Sequence, residues 1–187
     1  MLEGSSSSIF IIPTHVSPLR TLDTINIIVR LKRVRGRVVM AEKETVKIPI
    51  QVKLVSEIRD EAGRRELLST ETEGTLYSKE DATFLSFKEM MENVGQVSNV
   101  VKIKNDEVTI IRSGGVSMRH TYKKGTTTSG SYQSPYGVME MVAKTDTVNF
   151  TYRNQSRKAK LILSYKLQMQ GESVGRHRLT FIIEKME

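Results

Sequence analysis

Residues 161–170 read Leu-Ile-Leu-Ser-Tyr-Lys-Leu-Gln-Met-Gln, so that Leu161, Leu163, Tyr165, Leu167 and Met169 share one parity while Ile162, Ser164, Lys166, Gln168 and Gln170 share the other. Successive side chains of a strand point to opposite faces, so this period of two predicts a strand with one face in a core and the other mostly in water. The same alternation opens the region further upstream. There Val46, Ile48, Ile50, Val52 and Leu54 alternate with Lys47, Gln51 and Lys53. Pro49 has no amide hydrogen to give to a ladder, which marks an edge strand or a strand beginning.

Between these two stretches, short runs of the same kind are separated by turn residues. Asp60-Glu61-Ala62-Gly63, Lys79-Glu80-Asp81, Asn105-Asp106, Gly114-Gly115, Arg153-Asn154-Gln155-Ser156 and the segment from Gly171 to Gly175 punctuate the chain. Strands are expected at residues 46–54, 68–77, 84–91, 97–104, 108–112, 116–123, 138–148, 150–152, 161–170 and 178–185. Only residues 84–97 could pass for a helix, and their β-like flanks argue against it. A meander of short strands without a covering helix must close on itself or pack as a sandwich to hide its edges. The fold expected is therefore all-β, a closed antiparallel barrel of about 8–10 strands, whose interior is filled by side chains or holds one small ligand.

Composition agrees with one ordinary core: 187 residues, 38% apolar and 27% charged, with no Cys and no Trp. Without Cys there is no thiol catalysis, no Cys-based zinc site and no iron–sulfur cluster. The net charge of +8 is uneven, since residues 1–39 hold six basic residues (Arg20, Arg30, Lys32, Arg33, Arg35, Arg37) against Glu3 and Asp23. That segment opens Gly4-Ser5-Ser6-Ser7-Ser8, and its apolar run Ile9-Phe10-Ile11-Ile12 is too short for a secretory signal or a membrane span. Two domains are expected: 1–39, an N-terminal extension that is disordered or lies upstream of a true start at Met40, and 40–187, the barrel. A basic arm on RNA is the other reading of residues 24–37, and the intact mass of the native protein decides between them.

From Arg112 onward, the residues Arg112-Ser113-Gly114, Met118-Arg119, Gly125, Tyr132-Gln133-Ser134-Pro135-Tyr136-Gly137-Val138-Met139-Glu140-Met141, Thr145 and Leu163-Ser164-Tyr165-Lys166-Leu167 stand in an order that resembles the YwiB-like family of small bacterial β-barrel proteins. The resemblance runs from Val46 to the C-terminus. It implies a lipocalin-like, calycin-type barrel in the cytoplasm, with no established activity or ligand. The Gly-x-Trp signature of true lipocalins is missing, because the chain has no Trp.

Gly125-Thr126-Thr127-Thr128-Ser129-Gly130 matches half of a phosphate-binding loop, but Ser131-Tyr132 follows where Lys-Ser/Thr is needed; a flexible hairpin loop is expected. His15, His120 and His177 have no metal-ligand spacing, so no metal and no cofactor is expected. No Gly-x-Ser-x-Gly elbow occurs, and the carboxylates fall mainly at turns, so no catalytic residue stands out. Met118, Met139, Met141 and Met169 suit a core, or a soft interior that accommodates varied apolar ligands. The candidate ligand site is Arg112, Arg119, Tyr132, Tyr136, Glu140 and Tyr165: two cations, a carboxylate and three phenols able to clamp a small anionic or amphipathic molecule if they line a barrel mouth. The parity of Arg119 and Glu140 is opposite to that of their Met neighbours, so the solvent face is the competing placement. Function is expected to be non-enzymatic binding of a small, partly apolar ligand. The alternative is a nucleic-acid or ribonucleoprotein accessory module using Arg153, Arg157, Lys158 and Lys160 around one turn.

Overall fold

A computed structural model describes residues 31–34, 37–40, 45–153 and 157–186, and the chain divides into two compact units, Met1–Val46 and Lys47–Glu187. In the first, β1 (Leu31–Val34) and β2 (Arg37–Met40) pair antiparallel, with Leu31 opposite Met40. The rest of the expected N-terminal extension lies outside the described residues.

The second unit is made of β3 (Lys47–Arg59), β4 (Arg65–Lys79), β5 (Ala82–Met91), β6 (Gly95–Lys104), β7 (Glu107–Gly114), β8 (Ser117–Lys123), β9 (Thr127–Ser134), β10 (Gly137–Arg153), β11 (Lys158–Met169) and β12 (Glu172–Lys185). Each pairs antiparallel with the next, and β12 returns to pair with β3, so ten strands close into a barrel. No helix occurs among the described residues. Pro49 sits on β3 just beyond the β12 ladder, which begins at Ile50, so its missing amide hydrogen costs no bond there. Its carbonyl accepts from the Met186 amide at 3.0 Å.

Hairpin connections alternate between the two ends. At the end carrying the β4–β5, β6–β7, β8–β9 and β10–β11 connections, the interior is filled with apolar side chains. Ile50, Leu76, Leu85, Val108, Leu161 and Ile183 are all 2% exposed or less, and each such residue contributes about 1.5–3 kcal/mol by leaving water.

Two stretches differ from the alternation read in the sequence. Residues 138–148 and 150–152 are one strand, β10, because the register shifts between Thr145 and Thr147. This bulge flips the inward parity from Met141, Ala143 and Thr145 to Val148, which looks like a strand break in the sequence. The expected loop at residues 125–130 runs instead into β9, held to β10 from Lys144–Thr127 to Gly137–Ser134. It has little apolar character, because Gly130 makes room for a neighbour. A Cβ there would lie 2.6 Å from Nδ1 of His120. The expected and observed barrels both have ten strands, with one strand missed and one counted twice.

Two ladders are incomplete. β8 meets β9 only at Ser117–Gln133 and Met118–Tyr132, and the His120 ring fills the gap beyond, with Nε2 3.1 Å from Thr128 Oγ1. β4 meets β5 only between Gly74–Phe87 and Lys79–Ala82. Residues 65–73 of β4 therefore pair with β3 alone, and the Thr72 hydroxyl takes the first free carbonyl of β5, donating to Lys88 O at 2.9 Å.

Candidate functional site

Toward the other end, the interior is not filled. A cavity of about 760 Å³ opens there between the β3–β4, β5–β6 and β11–β12 connections. Its floor comes from side chains that meet across the barrel. Phe87 of β5 and Phe181 of β12 touch edge to face at 6.3 Å, and Tyr122 of β8 lies 4.6 Å from Tyr165 of β11. Met118, Met141, Leu167 and Leu179 form apolar walls. At the rim, beside the free half of β4, Leu68 is 52% exposed and Met90 75%.

Into this apolar surface the inward parity of three consecutive strands places three polar residues. Glu89 follows Leu85 and Phe87, Asn99 stands between Val97 and Val101, and Arg112 follows Val108 and Ile110. Asn99 and Arg112 are direct cross-strand partners. Arg112 donates from Nε to Asn99 Oδ1 at 3.1 Å and from Nη2 to the Glu89 carboxylate and to Met91 Sδ. Asn99 Nδ2 also donates to the same Glu89 oxygen, at 3.0 Å. The ion pair is half-hidden, with side-chain exposures of 21% for Arg112 and 9% for Glu89.

An aromatic row continues from this cluster: His120 to Tyr122 at 4.6 Å, Tyr122 to Tyr165 at 4.6 Å, and Tyr165 stacked on His177 at 5.4 Å. Burial pushes the Tyr122 phenol well above its usual range, assisted by the neighbouring Tyr165 phenol. Burial also raises Tyr165, against the opposing pull of the neighbouring Tyr122 hydroxyl and of the Arg112 charge. Burial lowers His120 and His177, so both imidazoles are neutral at pH 7. His177 is 8% exposed, lines the cavity, and its Nε2 has no hydrogen-bond partner among the described residues.

Of the six residues expected at a ligand site, Arg112, Tyr132 and Tyr165 line the cavity. Arg119 and Glu140 are exposed on the outer face of β8 and β10, following their parity. Tyr136 is 82% exposed in the β9–β10 turn, its amide donating to Ser134 Oγ at 3.2 Å. Glu89, Asn99 and Tyr122 were not singled out in the sequence, and His177 was weighed there only as a metal ligand. The available signal was a polar residue on the apolar parity of neighbouring strands. The basic group is placed at the opposite end of the barrel. Arg157 stands at the β10–β11 turn, Lys158 Nζ pairs with Glu184 Oε1 at 2.6 Å, and Lys160 is exposed on β11. The side chain of Arg153, the last residue of β10, lies outside the described residues.

Comparison with known proteins agrees with this architecture. The uncharacterized β-barrel protein YwiB of Bacillus subtilis (strain 168) is 29% identical over 136 residues, which is 73% of this chain and 93% of that protein. The crystal structure of the ywiB protein from Bacillus subtilis matches with a TM-score of 0.66 at 27% identity, covering 75% of this chain and 94% of that one. The model of a family described as a domain of unknown function, DUF1934, matches residues 52–181, from the first inward valine of β3 to the cavity-floor phenylalanine of β12. The chain therefore belongs to the DUF1934 family.

Proposed function

We propose that the barrel binds a small, partly apolar molecule in its open half, without chemistry of its own. One observation carries this reading: an opening of about 760 Å³ in which three hydrogen-bonded polar residues are set among Met, Leu, Phe and Tyr side chains. Small-molecule sites have volumes of roughly 300–1,000 Å³ and this pattern of a few placed polar groups on an apolar lining. Unbranched methionine side chains suit such a wall, because they adjust to the shape of an occupant. The site of action proposed is the cytoplasm, and the mode is carriage or sensing on the lipocalin pattern, both extending the resemblance read in the sequence. The basic-turn alternative is weaker, since Lys158 is already engaged by Glu184.

The test is native mass spectrometry of the full chain purified gently from its own cells, then denatured to release anything carried. A retained small-molecule mass that disappears in Met141→Trp, a change that fills the cavity, supports binding. A bare protein that also takes up no apolar probe from a small-molecule panel overturns it.

A further inference from the structure

The charge balance inside the cavity restricts what it can hold. Among the described residues Arg112 is the one cation of the lining and Glu89 the carboxylate that touches it; the remaining charged member, Glu92, is exposed at the β5–β6 turn. Their direct contact leaves the interior pair with no net charge. A carboxylate or phosphate entering against Arg112 would bring a second negative charge beside Glu89, and an ammonium would bring a second positive charge beside Arg112. Either would have to shed its water without an unpaired counter-ion to meet it. Hydrogen-bonding capacity is nonetheless left over. Arg112 uses Nε and Nη2 and Glu89 uses Oε1, so Nη1 and Oε2 have no partner among the described residues. A guanidinium has five N–H donors and a carboxylate two acceptor oxygens.

A free donor and a free acceptor on one neutral pair suit an uncharged group that itself carries both, as an amide does. We infer that the cavity selects an uncharged molecule whose polar end presents an N–H next to a C=O, such as a carboxamide, lactam or imide, carried on an apolar body that lies against Met118, Met141, Phe87 and Phe181. This inference rests on the binding reading above and adds the class of ligand to it. Glu89 is the residue that excludes anions, and Arg112 the residue that excludes cations.

The test uses three probes with one apolar body, octanamide, octanoate and octylammonium, titrated into the full chain at pH 7.5 and followed by protein NMR. Octanamide is expected to bind at least about tenfold more tightly than either ion, a difference of about 1.4 kcal/mol. In Glu89→Gln the unbalanced Arg112 should move the preference toward octanoate by at least about tenfold. If that variant loses its native spectrum, the neutral double variant Glu89→Gln, Arg112→Gln is used, and it should keep the amide preference. Octanoate binding as tightly as octanamide to the unaltered protein overturns the ligand class and leaves the binding reading standing. Failure of all three probes to perturb the cavity resonances overturns both.

Discussion

The rings of Tyr122 and Tyr165 lie 4.6 Å apart, tilted by 42°, although β8 and β11 are separated in the barrel wall by β9 and β10. The contact crosses the interior and divides it, with the packed half on one side and the cavity on the other. Two phenols in this position should not ionise while the protein is folded, since burial raises both. Alkaline titration followed by tyrosinate absorbance should show two of the six tyrosines ionising only as the fold is lost. Tyr122→Phe keeps the ring and should cost about 1 kcal/mol, whereas Tyr122→Ala should cost about 3–5 kcal/mol. Equal losses in chemical denaturation would mean that the hydroxyl, and not the ring, is the contribution that matters.

The Glu89–Arg112 pair should behave as a unit. Removing one partner by Arg112→Met leaves a nearly buried carboxylate with only Asn99 for company, an arrangement that costs about 3–5 kcal/mol. Glu89→Leu together with Arg112→Met should recover much of that loss. A double-mutant cycle by urea denaturation measures the coupling, and additive single-variant losses would contradict the pairing.

Acid should weaken the fold through the two barrel histidines. Their pKa values are lowered by burial in the native state, whereas in the unfolded chain they protonate as the pH drops through about 6.5. Below that point the unfolded state holds more protons, so stability is full above it and falls with falling pH. Urea midpoints should drop between pH 7.5 and pH 5.5, and less so in His120→Gln, His177→Gln. An identical drop in that variant would assign the effect to other groups.

Gly175→Ala should be poorly tolerated. The residue has φ 110°, and an added Cβ would meet the Arg59 carbonyl oxygen at 2.1 Å. Backbone strain and collision act together there, so a loss above about 1 kcal/mol is expected. A melting temperature within a degree of the unaltered protein would show that β12 and β3 can separate at this point without cost.

The ring of strands was legible because most of its strands bury alternate residues, and Leu161, Leu163, Tyr165 and Leu167 are all 7% exposed or less. Where the period is interrupted, sequence reading failed for a local reason. The Thr145–Thr147 bulge reversed the parity of β10, and β9 offers a glycine at the place where His120 needs space. The candidate site was half legible. Arg112 and Tyr165 could be picked by type, but Glu89 and Asn99 acquire their meaning only once the registers of β5, β6 and β7 are set side by side. Tyr136 and Glu140 are exposed and are not among the cavity-lining residues.

Every ladder of the barrel joins strands adjacent in the chain except the seam between β3 and β12, which runs from Ile50–Lys185 to Arg59–Arg176. Hairpins can therefore form one after another as the polypeptide leaves the ribosome, each relying on neighbours already made. The last of them is indispensable to the first: until residue 185 has emerged, β3 has one bare edge, and Leu54, Phe181 and the cavity floor have no closed wall to stand against. A nascent chain stalled short of β12 is consequently an open sheet with a sticky margin, so the docking of β12 on β3, and not the growth of the sheet, is the step at which the cavity gains a continuous wall.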